Sequence, residues 1–362
     1  MKKKLALLLV AAGIAAASLT CSPTYVLRAG VEEARILSRR QPIEAVVRDP
    51  ATSDEVRHKL SLVLQARTFA SEMLGLEAGE SYTTYSWIDR DTLALVLSAA
   101  YRDRFEPVTW WFPIVGRVPY KGFFDAEAAH REARKLEREG YDVYVRPTSA
   151  FSTLGWFNDP LLSTLLRYDD IALVSTVIHE IAHNTLFVPS RVSFNESFAN
   201  FVGDRGAILF FCGVEGEDGE RCREAKAQWS DNVLFGRFLA ELIADLEDIY
   251  SRTELPSERR VELREEAYAR ARERFAESYA DRFSSPGYRG LAQIQPNNAR
   301  LIAWRLYYDR LDLFDAALER HGGDLPATIA AIRDAAASAD DPFAAVASLA
   351  GSLPDRSTAT AP

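Results

Sequence analysis

The chain has 362 residues, 48% hydrophobic and 26% charged, with a formal net charge of -9. That length suits one large domain or two modest ones, with a sizeable core. The acidic balance argues against nucleic acid as a partner, since phosphate binding needs clustered cations and no basic patch with interleaved aromatics is present.

Residues 1–20 read as a signal peptide. Lys2, Lys3 and Lys4 form a positive start, and the apolar run from Leu5 to Leu19 is too short for a comfortable membrane span. Cys21 follows directly, as in a bacterial lipoprotein cleaved before the cysteine and lipidated on it. Ser18 and Thr20 stand where a lipobox carries Leu and Gly or Ala, so an uncleaved anchor is the alternative. Either form is exported and held in the periplasm or cell envelope, with the membrane as a partner through the N-terminus.

The remaining chain divides at about residue 158. Residues 21–158 read as N-terminal helices and a small sheet. Val26 to Met73 is helical, interrupted by Pro42 and Asp49-Pro50, with Leu60, Val63, Leu64, Arg67 and Ala70 at helical spacing. Pro107 to Pro113 is aromatic and strand-like, Gly116 and Gly122 mark turns or close backbone approach, and Tyr120 with its neighbours suits a hairpin. Asp125 is placed to cap a helix running to Glu139 and stopped at Gly140. Tyr141, Val143 and Val145 then alternate with Asp142, Tyr144 and Arg146, the period of a half-buried strand. Ser152 to Phe157, including Gly155 and Trp156, reads either as a strand edging a cleft, where an extended peptide could add, or as an ordinary strand-to-turn segment.

Residues 159–350 read as a helical region. Asp159-Pro160 has the form of an N-cap with proline at the first helical position. The Glu- and Arg-rich stretch of about 225–284, divided by Pro256, predicts two antiparallel helices. Residues 351–362 read as a disordered tail. The fold class expected is α+β, mainly helical. Cys212 and Cys222 flank a polar, Gly-rich segment that a disulfide could close in an exported chain, the alternative being two free thiols.

The chemistry concentrates at His179-Glu180-Ile181-Ala182-His183, an H-E-x-x-H motif in a chain with five histidines. On a helix, positions i and i+4 share a face, so both imidazoles reach one ion. Glu180 lies beside them, placed to take a proton from water. A catalytic zinc has three protein ligands. The long metzincin signature fails, because Leu186 and Pro189 stand where glycine and histidine are required. Glu196, at the start of a second helix beginning near Ser193, is the expected third ligand. The alternative is a capping box, Ser193-x-x-Glu196, in which the glutamate bonds back to the helix start. Ala199 and Asn200 would share the face of Glu196, Ala199 allowing close approach and Asn200 orienting a ligand. Asp204 is the reserve ligand or an acceptor for a histidine N–H. Tyr307, Tyr308 and His321 are candidates by residue type for steadying an oxyanion.

His179-Glu180-x-x-His183 followed by Asn195-Glu196 resembles the thermolysin-like gluzincins. More closely, the chain after Cys21 resembles a family of predicted bacterial aminopeptidases, often lipoproteins. Phe112 to Gly116, Tyr120 to Phe124, Ser152 to Phe157, Asp159 to Ser163 and Asn297 to Leu301 carry this likeness. The resemblance implies a zinc peptidase acting on peptide substrates, with a gluzincin-like helical catalytic region, His179, His183 and Glu196 as ligands, and Glu180 as base. It also favours Tyr307, which lies just after one of these segments. The spacing from His183 to Glu196 is shorter than in thermolysin, and no Gly-x-Met-Glu-Asn motif for a substrate's free amine is present. A membrane-tethered protein that binds zinc without catalysis, and a hydrolase of non-peptide amides or esters, are the competing readings. A structural zinc would tend to recruit cysteine, and neither Cys212 nor Cys222 falls near the motif.

Overall fold

The computed structural model describes residues 36–88, 93–112, 116–148 and 160–351. The signal peptide, Cys21, Ser152 to Phe157 with Gly155 and Trp156, Asp159 and the tail beyond Gly351 lie outside the described residues. Among the described residues no helix is long and apolar enough to cross a membrane.

The fold is α+β and mainly helical. The short strand β1 (Gln41–Pro42) leads into α1 (Ile43–Arg48) and α2 (Asp54–Glu72). Ser53 caps α2 by accepting from the Val56 N–H. Then come β2 (Thr84–Ser86), β3 (Ala94–Ala100), the hairpin of β4 (Trp110–Phe112) and β5 (Gly116–Val118), and β6 (Tyr120–Phe123). Helix α3 (Ala126–Arg138) is capped by Asp125, which accepts from Ala128 N–H at 3.1 Å. Strand β7 (Asp142–Thr148) joins β3 and β6 in an antiparallel sheet of order β6-β3-β7. Val143 and Val145 turn toward the α3 side of this sheet, where Leu97, Ala129, Ala133 and Leu136 form a small core.

One expectation fails at the entry to the helical region. Pro160 does not open a helix. Leu161–Leu162 forms β8, parallel to β2 and almost fully buried. Burying both leucines in the sheet β1-β2-β8 outweighs the local helix-start signal. A 3₁₀ turn, Ser163–Arg167, follows, and the helix starts at Asp170.

Helix α4 (Asp170–Thr185) is capped by Asp169, which accepts from Ala172 N–H at 2.7 Å. It is followed by α5 (Val192–Glu215), α6 (Glu220–Ser251) and α7 (Ser257–Arg274). Helices α6 and α7 form the expected hairpin, divided at Pro256 and sharing a core of Phe235, Phe238, Leu242, Leu246 and Phe275. Cys212 and Cys222 are joined as a disulfide across the α5–α6 turn. After short turns come α8 (Asn298–Tyr308), α9 (Leu311–Arg320), α10 (Leu325–Ala336) and α11 (Pro342–Ala350).

The largest core lies between α2, α4, α5 and the last three helices. Phe194, Phe198 and Phe201 line one side of α5 and meet Phe314 of α9, with ring centroids 5.4–6.3 Å apart. That apolar stripe fixes the rotation of α5, and so turns its opposite, polar face toward α4.

The sheet meets the helices through a buried polar junction. Asp142 of β7 receives two bonds from Arg264 of α7, at 2.6 and 3.1 Å, and one from the Asn298 backbone N–H at 2.9 Å. The fully buried Asn298 amide donates to the Tyr101 carbonyl and accepts from the hydroxyls of Tyr250 and Tyr268. Asn297 caps α8 and donates to the Val143 carbonyl. Each buried group is therefore matched, as burial of charge demands.

Candidate metal centre

Helix α4 is apolar on most sides, with Leu173, Val174, Val177, Ile178, Ile181 and Ala182 buried. His179 and His183 lie one turn apart and face α5. Their Nε2 atoms are 3.2 Å apart. Glu196 Oε2 of α5 lies 3.4 Å from His179 Nε2 and 3.8 Å from His183 Nε2. The three side chains are only 12%, 10% and 22% exposed. Tetrahedral zinc with bonds of 2.0–2.1 Å places its donor atoms about 3.3 Å apart. These three residues have the donor types and the spacing to hold such an ion.

Glu196 reaches this position because of the loop before it. Asn195 is buried, and its side chain accepts from the Val188 N–H and donates to the Val188 carbonyl, both at 2.9 Å. One amide thus satisfies both backbone groups of a buried turn residue. The capping box does not form. Arg191 is the N-cap, and the Ser193 hydroxyl lies 3.0 Å from Asp309 Oδ2.

The helices approach most closely at Gly203. A Cβ there would lie 2.7 Å from the Ser175 carbonyl oxygen and 3.1 Å from His179 Cβ. Ala199 is fully buried, but the contact that requires a missing side chain falls one turn later. The next residue, Asp204, accepts from the Ser175 hydroxyl and from Asn232 Nδ2. Burial pushes its carboxyl above the usual range, although both hydrogen bonds pull the other way.

Electrostatics treats the two imidazoles differently. Burial opposes the charge on His179, but the bond to Glu196 and the charges of Glu180, Glu196 and Asp204 hold its pKa above the ordinary value. Burial and the charge of His179 push His183 down to about 4. Burial would raise Glu196, yet His179, His183 and Arg146 together keep it below the usual range. His183 Nδ1 is buried without a hydrogen-bond partner among the described residues. Glu180 is close enough for its charge to act on His179.

The other predicted residues are placed unevenly. Among the described residues Asn200 makes no hydrogen bond to either imidazole. It donates to the Tyr307 carbonyl at 2.6 Å and so fixes the last turn of α8. Ser197 supports the same turn, accepting from Asp309 N–H. Tyr307 comes to the site, where its hydroxyl accepts from Arg146 Nη2 at 3.2 Å. Burial and then the charge of Glu196 push its pKa up. Tyr308 faces away, its ring against Phe235 and its hydroxyl bonded to that of Tyr288. His321 ends α9, with Nδ1 2.8 Å from the Ala317 carbonyl of its own helix.

Two residues at the site carried no motif. Arg146 lies on the β7 face opposite Val143 and Val145. Tyr120, read as a hairpin residue, starts β6 and is 37% exposed at the rim. Burial and then the charge of Glu196 raise its pKa, while Arg146 lowers it. The advance signals were the position of Arg146 on the polar side of an alternating strand and the place of Tyr120 in a segment that carries the family likeness.

The family described as "Putative aminopeptidase" matches the chain over residues 24–342. No curated protein and no solved structure matches it.

Proposed function

The chain belongs to the "Putative aminopeptidase" family, and from that premise we propose that it is a zinc-dependent peptidase whose metal centre is His179, His183 and Glu196. The observation that carries the reading is the convergence of two imidazole nitrogens and one carboxylate oxygen at the edge length of a zinc tetrahedron. Zinc held by these residues would supply Lewis acidity toward the scissile carbonyl and the attacking water.

Glu180 is the general base. It takes a proton from the attacking water and passes it to the leaving amine. Tyr307 steadies the developing oxyanion. Its oxygen already accepts from Arg146, so its own proton is available to donate into the site. Its raised pKa keeps that proton on the phenol at neutral pH. Asn200 and Ser197 act through the backbone of α8, holding Tyr307 in place. Gly155 and Trp156, outside the described residues, remain substrate contacts in this reading. The protein works outside the cytoplasm, anchored through Cys21 or an uncleaved N-terminal segment, in keeping with the Cys212–Cys222 disulfide.

Metal analysis of the purified protein, paired with a peptide-library digest, tests this. The native protein should hold one zinc and cleave peptides. Glu180→Gln should retain the zinc and lose about 10²–10⁴-fold in rate. Equal cleavage by that variant would remove Glu180 as the base.

A further inference from the structure

Arg57, Arg67 and Arg289 bond to backbone carbonyls, while several arginines that tie elements of the fold together are matched to acids. Arg264 pairs with Asp142, Arg205 with Asp315, and Arg221 with Glu215 and Asp170. Arg146 is not. It is half-buried at the edge of the metal centre, and among the described residues it makes no ion pair. Its hydrogen bond goes to the neutral Tyr307 hydroxyl, with its guanidinium carbon 5.5 Å from the Tyr307 ring centroid. Its charge reaches Glu196, Tyr120 and Tyr307, lowering the pKa of each.

A guanidinium offers five N–H donors in a planar fork that matches a carboxylate through two parallel bonds. One neutral phenol oxygen leaves most of that capacity unused, and the charge of Glu196 acts on Arg146 without a direct ion pair to fill the fork. The strand that carries Arg146 is held by the Asp142–Arg264–Asn298 junction, so the fork is set in place before substrate arrives. One anion is common to every unmodified peptide whatever its sequence, namely its C-terminal carboxylate.

We propose that Arg146, with Tyr120 at the rim, forms a subsite for the C-terminal carboxylate of short peptides beside the metal centre. This deepens the peptidase reading and rests on it. The substrates are then small peptides with a free C-terminus. Arg146 is a specificity-determining residue, and the carboxylate docks by forming two N–H···O bonds with no bond broken.

Binding calorimetry on zinc-loaded Glu180→Gln protein tests the subsite without turnover. The probes are Ala-Ala-Ala, its C-terminal amide, and the amide Ala-Glu-Ala-NH₂. The free acid should bind at least about ten-fold more tightly than its amide, as expected for a charge-assisted, two-bond contact. Adding Arg146→Met should bring that ratio to about one, and adding Arg146→Lys should leave it in between. Circular dichroism and zinc content check that each variant is folded. Equal binding of acid and amide, no binding of any probe, or an unchanged ratio in Arg146→Met would each overturn the subsite. Tight binding of Ala-Glu-Ala-NH₂ would overturn it in favour of side-chain carboxylates. Suppose instead that Arg146→Met in the otherwise native protein slows acid and amide hydrolysis alike, with binding unchanged. Arg146 would then act on the oxyanion, and the subsite would be overturned. A protein that discriminates acid from amide but cleaves neither would retain the subsite and lose the peptidase reading.

Discussion

The site has two walls, built in different ways. One is the α4–α5 pair, in which His179, Glu180, His183 and Glu196 fall within 18 residues and are positioned by one buried turn. The other is formed by β6, β7 and the end of α8. There Arg146 and Tyr307 meet although 161 positions separate them. The first wall is local and set by helix periodicity. The second depends on a buried polar junction whose partners, Asp142, Arg264 and Asn298, lie far from the metal centre in sequence. The expected cost of damage differs accordingly: the first should lose the proposed ion, the second the grip on substrate.

Cutting the junction is the strongest way to test that division. Arg264→Met removes the buried partner of Asp142, leaving it the half-exposed Arg102 at 3.5 Å and the Asn298 N–H, and should cost about 3 kcal/mol in urea denaturation. Zinc affinity should survive in the folded protein, while the Arg146-dependent contribution weakens. A parallel loss of zinc affinity would show that the walls are not separable.

The opposite cut is Gly203→Ala. Its Cβ would press on the Ser175 carbonyl and on His179 Cβ, forcing α4 and α5 apart. A loss of about 1–3 kcal/mol is expected, together with weaker zinc binding, because His179 moves. Unchanged zinc affinity would mean that helix spacing does not govern the ligands.

The smallest effect lies at the start of α4. Asp170 joins Lys59 and His58 of α2 to Arg221 of α6. Burial would raise its pKa, but Lys59 and His58 hold it below the usual value. A depressed folded pKa means that the stabilisation is complete above the unfolded value near 3.9 and is lost as pH falls through the folded one. Asp170→Asn should therefore cost roughly 1 kcal/mol at pH 6, and the gap to the native protein should narrow as pH falls below the unfolded value and through the depressed folded one. A gap independent of pH would show that the contacts of Asp170 are not ionic.

The same division explains what could be read from the sequence. His179, His183 and Glu196 were legible because helix geometry brings i and i+4 together and a short loop returns the chain. Asp125, Gly140 and Pro256 marked boundaries where backbone chemistry is local. Asp159-Pro160 misled, because pairing of Leu161 and Leu162 with β2 is a long-range effect that a cap signal cannot register. The alternative capping box at Ser193 does not form for a similar reason, since its hydroxyl serves Asp309 of a distant segment. Arg146 was hidden because strand alternation shows which side is polar, not what that side faces, and Tyr120 was marked by the family likeness without a chemical role. Asn200 was expected to serve a ligand and instead serves the Tyr307 backbone, a partner 107 positions away.

The most direct test of the centre is the X-ray absorption spectrum of the zinc-loaded protein. The account predicts one zinc with four nitrogen or oxygen neighbours at about 2.0–2.1 Å, two of them imidazoles, and no sulfur. A spectrum without two imidazoles, or one that Glu196→Ala leaves unchanged, would contradict it.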